Sequence, residues 1–525
     1  MNQIVPGAVN FVAPSIDWWP LVPLMVVLGG GVVGVLIEAF VPVKRRRIVN
    51  ILWTIVVLLA GFVLASLQWA TALTAPSLDG EYVNDPLAVG LQILITFLAI
   101  FAVLVMADRS MARDGAFAAQ PSDRPDSSEE SLSAAKKYQR SEMFPLVLFS
   151  VGGMMLFPAS DSLLTMFVAL EVMSLPLYIL AATARHRRQM SHEAAIKYFI
   201  LGSFSAALFL MGSALLYGYS GGSLRLGAIA EAIPFVNNMD WLLLVGVFLV
   251  MAGLLFKVAV FPFHEWAPDG YAGAPTPVTG FMAAGVKIAA FGALLRFYVT
   301  VAGHLRWDMG LIFALMAAAT IIFGTVGGLV QKNMKRLLAY SSIAHAGFLM
   351  IAVLSLVPGS AGAMTFYLLA YGLATIGAFA VITLVRKEDG RRGVGSEATR
   401  ISDWDGLAKR SPFLAVSMLI FLLSFAGIPL TSGFVGKFVV FATGIEGGLG
   451  WLVAIALAAS AVTAVFYFRI VVAMFMKEPA PSVQVVESEG ASTVVIGVTA
   501  AATLILGILP GPILAFVEQI FILIP

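Results

Sequence analysis

Apolar blocks about as long as a bilayer is thick alternate with short polar stretches along almost the whole chain. They fall at 20–40, 48–70, 86–107, 142–158, 161–184, 194–218, 240–266, 276–300, 308–330, 336–356, 361–385, 411–443, 449–475 and 492–521. A helix needs roughly 20 apolar residues to cross the hydrocarbon core. Blocks of this length are too long for barrel strands, so the pattern predicts an all-α polytopic membrane protein of about fourteen transmembrane helices. An even count places both termini on one side.

The polar stretches carry a charge alternation that sets the orientation. Lys44–Arg47, Arg109–Arg140, Arg185–Arg188, Lys332–Arg336, Arg386–Arg410 and Lys477 fall in alternate loops and hold 24 of the 32 Lys and Arg residues. The opposite loops hold only Arg225 and Arg306, with acidic Asp79, Glu81 and Asp85. The basic loops are therefore expected at the cytoplasm and both termini outside. The opening MNQIVPGAVNFVAPSIDWWP lacks a basic n-region and reads as a short extramembrane segment, not a cleaved signal. Two basic loops, 109–141 and 386–410, are long and polar and read as linkers without chemistry of their own.

Composition narrows the chemistry. The 525 residues are 60% hydrophobic and 12% charged, with a mean hydropathy of +0.93, which excludes an ordinary soluble enzyme. No cysteine is present, so thiolate iron–sulfur ligation and Cys-based zinc sites are excluded, and the five histidines include no HExxH spacing. No metal or cofactor site is expected in this chain. A net charge of +2 gives no support for nucleic-acid binding.

Six basic residues lie within the apolar blocks: Lys197, Lys257, Lys287, Arg296, Lys437 and Arg469. Glu171 is the matching acid, in MFVALEVMSLPLYIL with Pro176 five residues on. A charge at the bilayer centre costs about 2.5–3.5 kcal/mol on insertion scales, so it persists only where it pairs, meets water or acts. Lys287 is centred in its block, about 18 Å of helix from either end, too far to reach an interface. Its bland reading is a static partner for one buried acid. His345, in LLAYSSIAHAGFLMIA, is either a proton relay or a hydrogen-bonded core residue. Lys197 and His264 are weaker candidates, Lys197 by snorkelling near its block's end with Glu193 at i−4. Arg296 and Arg469 lie toward block ends and read as interfacial.

Two blocks carry helix-breaking signals. Pro262 interrupts LLFKVAVFPFHEW just after Lys257, and Gly427, Pro429 and Gly433 interrupt SFAGIPLTSGFVGKF just before Lys437. The two lysines are 180 residues apart, Glu171 and His345 are 174 apart, and five blocks make up each half. Five is odd, so the second half is inverted relative to the first, as in transporters whose site sits at interrupted helices. The expected division is 1–141 (three transmembrane helices and a cytoplasmic loop), 142–300 and 301–476 (two inverted five-helix repeats with discontinuous helices), and 477–525 (a final transmembrane helix). An embedded series of Glu, Lys and His suits protons better than a larger solute, whereas sodium sites want several carboxylates, carbonyls and hydroxyls.

At these residues the sequence resembles a known family. The stretches ALEVMSLPLYIL (169–180), EAAIKYFILGSFSAALFL (193–210), FKVAVFPFHEWAPDGYAGAPTPVTGFMAAGVK (256–287), KNMKRLLAYSSIAHAGF (332–348) and FAGIPLTSGFVGKF (425–438) look like the antiporter-like membrane subunits of respiratory complex I, the NADH-quinone oxidoreductase. Gly270, where the family often has Val in a PDVY motif, and the enlarged 109–141 loop depart from the pattern without touching the charged residues. The resemblance implies a proton-translocating subunit in a bacterial inner membrane, among other membrane-arm subunits including antiporter-like neighbours. Glu171 and Lys257 would be the input pair, Lys287 the central relay with His345 near it, and Lys437 the delivery group, with Lys197 and His264 less defined. NADH, flavin, iron–sulfur clusters and quinone would belong to partner subunits, and this chain alone would catalyse no redox step. A subunit of a multisubunit sodium/proton antiporter and a non-pumping structural subunit are the alternatives.

Overall fold

A computed structural model describes residues 16–71, 75–109, 115–120, 123, 127–136, 140–236, 238–388 and 394–522. Twelve of its helices are long and apolar enough to cross a membrane, from Trp19–Phe40 to Ala491–Ile508, and two shorter apolar helices, Met143–Ala159 and Pro412–Ala426, accompany them. The architecture is compatible with fourteen crossings. Residues 1–15 of the opening segment read above as extramembrane lie outside the described residues, as do parts of the 109–141 loop. The final apolar block is not one helix, because Leu509–Pro510 separates Ala491–Ile508 from a short helix, Gly511–Val517.

Exposure sorts the helices into a centre and a rim. Thr276–Thr300, Met334–Ser355 and Ser360–Leu384 are almost wholly enclosed by their neighbours. Val43–Thr71, Arg188–Tyr219 and Ala491–Ile508 turn large apolar side chains such as Leu52, Phe204 and Ile505 outward. With apolar residues all round each helix, it is packing that decides which face meets lipid. The enclosed helices are the ones that carry Lys287 and His345.

Both interrupted blocks are broken in the backbone, and the break exposes main-chain groups that must be satisfied. The first helix runs Asp240–Val258, stops on Ala259 at φ +60°, and resumes at Trp266–Gly273. Within the gap the Phe261 N–H donates to Thr320 Oγ1 (2.9 Å), and Trp266 Nε1 donates to the Phe256 carbonyl (2.8 Å). The second runs Pro412–Ala426, stops on Gly427 at φ +78°, and resumes at Ser432–Glu446. Here Ser424 Oγ accepts the Gly433 N–H (3.1 Å), filling one of the orphan donors at the new helix start. Only glycine fits at 433, since a Cβ there would lie 1.9 Å from the Ser424 carbonyl oxygen.

The loops are better anchored than their composition predicts. On the basic face, Val385–Lys387 pairs antiparallel with Val483–Val485, Glu130 pairs with Arg185 (3.0 Å), and Glu397 pairs with Arg187 (3.0 Å). Reading 109–141 and 386–410 as bare linkers is therefore corrected: each sends an acid into the guanidinium groups of the 185–188 turn. On the opposite face Ala75–Ser77 pairs with Tyr82–Asn84, and single bridges join Tyr82 to Ser160 and Ser162 to Arg225. Arg296 is a second correction. It is not interfacial but fully buried, donating to Asp85 Oδ1 (2.7 Å) and to the Pro158 carbonyl (2.7 Å). A buried guanidinium with a matching acid on a neighbouring loop replaces the expected contact with lipid headgroups.

Candidate functional site

The five principal candidates occupy five helices, two of them bordering the breaks. Glu171 lies mid-helix in Leu163–Ala181, half-buried, on the face shared with Ser174 and Tyr178 at i+3 and i+7. Lys257 approaches that same face from the last turn of Asp240–Val258 and is 1% exposed. Its ammonium donates to Ser174 Oγ (2.9 Å) and Tyr178 Oη (3.2 Å), and lies 5.5 Å from the Tyr178 ring centre and 5.7 Å from that of Tyr198. The lysine thus lands one turn from Glu171, with hydroxyls and aromatic faces as its immediate partners. Because its helix stops at Val258, Lys257 is enclosed here and does not reach the basic face by snorkelling.

Lys287 begins the α-helical part of Thr276–Thr300, directly after a π-helical turn at Met282–Val286. Such a bulge widens the helix locally and re-aims the residue that follows it. The Lys287 ammonium donates to the main-chain oxygen of Ser342, 5.1 Å from the Tyr371 ring centre. Ser342 Oγ meets Tyr271 Oη at 3.4 Å, and the Tyr271 ring is set edge-on to Trp266, which also stacks on the Tyr198 ring. An almost continuous polar and aromatic line therefore runs from Lys257 to Lys287.

His345 is one turn beyond Ser342 on the same helix. Its Nδ1 is 2.6 Å from Tyr367 Oη and its Nε2 is 3.4 Å from Tyr467 Oη, while Tyr467 also bonds Ser341. A neutral imidazole donates through one nitrogen and accepts through the other, so a hydroxyl on each side lets a proton enter and leave by opposite edges. His345, Tyr367, Tyr371, Ser424, Phe425 and Gly433 line a small cavity on the scale of one water.

Lys437 closes the line. It lies in the first turns of Ser432–Glu446 and reaches back across the break, donating to the carbonyls of Phe425 and Ala426 (2.9 Å each) and to Ser460 Oγ (2.7 Å). Those carbonyls are the orphan acceptors at the C-terminus of Pro412–Ala426, where the helix dipole favours a cation. The Phe348 ring, 5.2 Å from the ammonium, stands between Lys437 and His345. Among the described residues none of the three lysines forms an ion pair within 4.0 Å.

The two weaker candidates lie off this line. Lys197 is 43% exposed and pairs with Glu193 (2.6 Å) and Asp269 (2.7 Å), and Asp269 also takes Arg336 (2.6 Å). This is a surface clamp joining three helices. His264 is half-buried in the first break, against the rings of Phe261 and Phe323. The sequence analysis missed Ser174, Tyr178, Tyr271, Tyr367, Tyr467 and Ser460. Their signal was available in part: Ser174 and Tyr178 share a helix face with Glu171, and a tyrosine inside an apolar block needs a partner for its hydroxyl.

A family profile described as NADH:quinone oxidoreductase/Mrp antiporter, TM, matches residues 160–463. The chain is similar to the NADH-quinone oxidoreductase subunit N of Beutenbergia cavernae, 49% identical over 525 aligned residues and covering 97% of this chain and 99% of that protein. The protein of the same name from Thermobifida fusca is 46% identical over 529 residues, covering 98% and 94%. Among solved structures, a chain of respiratory complex I from Thermus thermophilus with bound aureothin superposes with a TM-score of 0.76 at 33% identity, covering 94% of this chain and 98% of that one. A chain of the Mrp complex from Dietzia sp. superposes at 0.77 with 19% identity, covering 95% and 96%, and shares the fold.

Proposed function

Since this chain belongs to the NADH:quinone oxidoreductase/Mrp antiporter family of membrane subunits, we propose that it carries protons across a bacterial inner membrane as the N-type subunit of complex I. The route is Glu171 and Lys257, then Lys287, then His345, then Lys437. The observation that carries this reading is the environment of the lysines: three buried ammonium groups, each held by hydroxyls or main-chain oxygens, with no ion pair among the described residues. A lysine locked to a buried carboxylate would be a structural cation. Lys287 and Lys437, held by neutral acceptors, can give up a proton without stranding a buried anion beside them.

The chemistry of a transfer follows from the contacts. With Glu171 ionised beside it, Lys257 keeps its proton; when the two are drawn apart, that proton is released toward Lys287 along Tyr198, Trp266, Tyr271 and bridging water. From Lys287 a proton reaches His345 past Ser342, and the imidazole passes it through Tyr367 or Tyr467 toward the cavity below Phe425. Lys437 receives it at the second break. Energy for the movement comes from electron transfer between NADH and quinone in partner subunits, which hold the flavin and iron–sulfur clusters. This chain itself contributes no redox group. The two breaks, in 142–300 and 301–476, act as matching gates of two inverted repeats, flanked by 1–141 and 477–525, and the basic loops face the cytoplasm.

The experiment is proton uptake by inside-out vesicles given NADH, comparing the unmodified complex with Lys287→Ala and measuring the assembled complex on the same membranes. Lost uptake with normal assembly and electron transfer supports the relay. Normal uptake overturns it and leaves Lys287 a structural cation.

A further inference from the structure

A second charged cluster lies away from the lysine line, on the face opposite the basic loops, where three loops are tied together by the Tyr82–Ser160 and Ser162–Arg225 bridges. At its centre is Asp161, in the turn between Met143–Ala159 and Leu163–Ala181. Its main chain is fully used, with its N–H donating to the Glu81 carbonyl (3.1 Å) and its carbonyl accepting from Leu226 N–H (2.8 Å). Its side chain is not. Asp161 is 0% exposed, and among the described residues neither carboxyl oxygen has a hydrogen-bond partner. Arg296 Nη1, Arg225 Nε and Ser162 Oγ are likewise enclosed without partners.

Five buried polar atoms in one place, donors and acceptors together, describe a site that has not closed on itself. A carboxylate with no donor is costly to bury, and two guanidinium nitrogens beside it have protons to give. Direct contact would satisfy both, yet Arg296 is committed to Asp85 and Pro158, and the Arg225 guanidinium is packed against Gly80. What fits between them is water or a proton on the carboxyl.

We propose that Asp161 is a proton-binding site, linked by water to Arg225 and Arg296, through which the translocated proton exchanges with the face opposite the basic loops. This rests on the proton-carrying role proposed above and adds to it a second exchange group in the first repeat, besides the delivery group Lys437. Burial pushes the Asp161 carboxyl up to about 6, against the opposing pull of Arg296 and Arg225 and with a further push from Asp85 and Glu81. These are the charged groups that face it from the four surrounding segments, and they bring the site within the range where it exchanges protons near neutrality. Arg296 stands nine residues along the same helix from Lys287, roughly 13 Å.

The test uses the assembled complex with Asp161→Asn, which keeps shape and removes the proton site, and Asp161→Glu, which keeps a titrating carboxyl. Infrared pH titration reads the site directly: a protonated-carboxyl band that disappears near pH 6 is expected in the unmodified complex and in Asp161→Glu, and is expected to be missing in Asp161→Asn. Vesicle proton uptake per NADH oxidised should fall several-fold in Asp161→Asn and recover in Asp161→Glu. A band unchanged by Asp161→Asn overturns proton binding here. A band that is lost while uptake stays normal overturns the exchange role. Failure of the underlying relay would register separately, as normal uptake in Lys287→Ala.

Discussion

Lys437 and Ala426 face each other across the second helix break, with the ammonium 2.9 Å from the carbonyl that ends the preceding half-helix. One side chain thereby satisfies two orphan carbonyls, Phe425 and Ala426, and holds the two half-helices in register. A cation at a partly buried helix C-terminus contributes up to about 2 kcal/mol. Lys437→Met keeps length and packing and removes both charge and donors. It should reduce NADH-driven proton uptake at least several-fold, and hydrogen exchange across 427–433 should speed up. Slow, unchanged exchange in that segment would show that the lysine does not hold the break.

Gly433 makes the same break possible from the other side. A methyl group there meets the Ser424 carbonyl oxygen at 1.9 Å, and main chain cannot step aside as a flexible side chain would. Overpacking of this kind costs about 1–3 kcal/mol or more. Gly433→Ala should therefore lower the amount of assembled complex, while Ser424→Ala, which removes only the hydroxyl that accepts from Gly433, should cost about 1 kcal/mol. Quantitative blotting of membranes ranks the two. Equal assembly of Gly433→Ala and the unmodified chain would mean that the half-helices move apart freely.

Much of this site was legible because membranes make charge expensive. Lys287 and Glu171 stand out in a sequence where almost every neighbour is apolar, and Pro262 and Gly427 announce the breaks by chemistry that holds in any fold. The hydroxyls were not legible in the same way. Ser174 is one of many serines that bond their own helix, and its donor contact from Lys257 exists only because a helix 83 residues later ends on Val258. Arg296 was misread for a related reason: distance from the end of a block measures depth only when the helix end meets solvent, and here a loop carrying Asp85 covers it. Glu397 was hidden because composition made its loop look solvated.

The Asp85–Arg296 pair is a place where single and double replacements should disagree. Both side chains are fully buried, so removing one leaves an uncompensated charge, at a cost of about 3–5 kcal/mol. Arg296→Met should reduce assembled complex sharply. Adding Asp85→Asn removes the stranded carboxylate and retains an acceptor for the Ala88 N–H, which Asp85 caps at 2.8 Å. Assembly should then recover in part. A double variant no better than Arg296→Met would mean that the arginine contributes through its Pro158 contact and packing alone.

Glu397 supplies a pH prediction with a definite sign. It is 6% exposed, accepts from Arg187 (3.0 Å) and Thr276 (3.2 Å), and bridges Arg386 through the main chain. Burial alone would raise its carboxyl, but Arg386, Arg187, Lys335 and His186 outweigh burial and hold it well below the usual glutamate range. A carboxyl lowered in the folded state stabilises fully above its unfolded value, about 4.3, and that stabilisation is lost as pH falls below it. Between about pH 8 and 5 the contribution is constant, and Glu397→Gln should lower the melting temperature of the purified complex by a fixed amount, since Arg386, Arg187 and Lys335 lose their shared anion. Below about pH 4 the unfolded chain takes up a proton that folded Glu397 still lacks, so the gap between the two melting temperatures should narrow as pH falls. A gap that stays the same width down to pH 3 would show that Glu397 acts by shape and hydrogen bonding and not by charge.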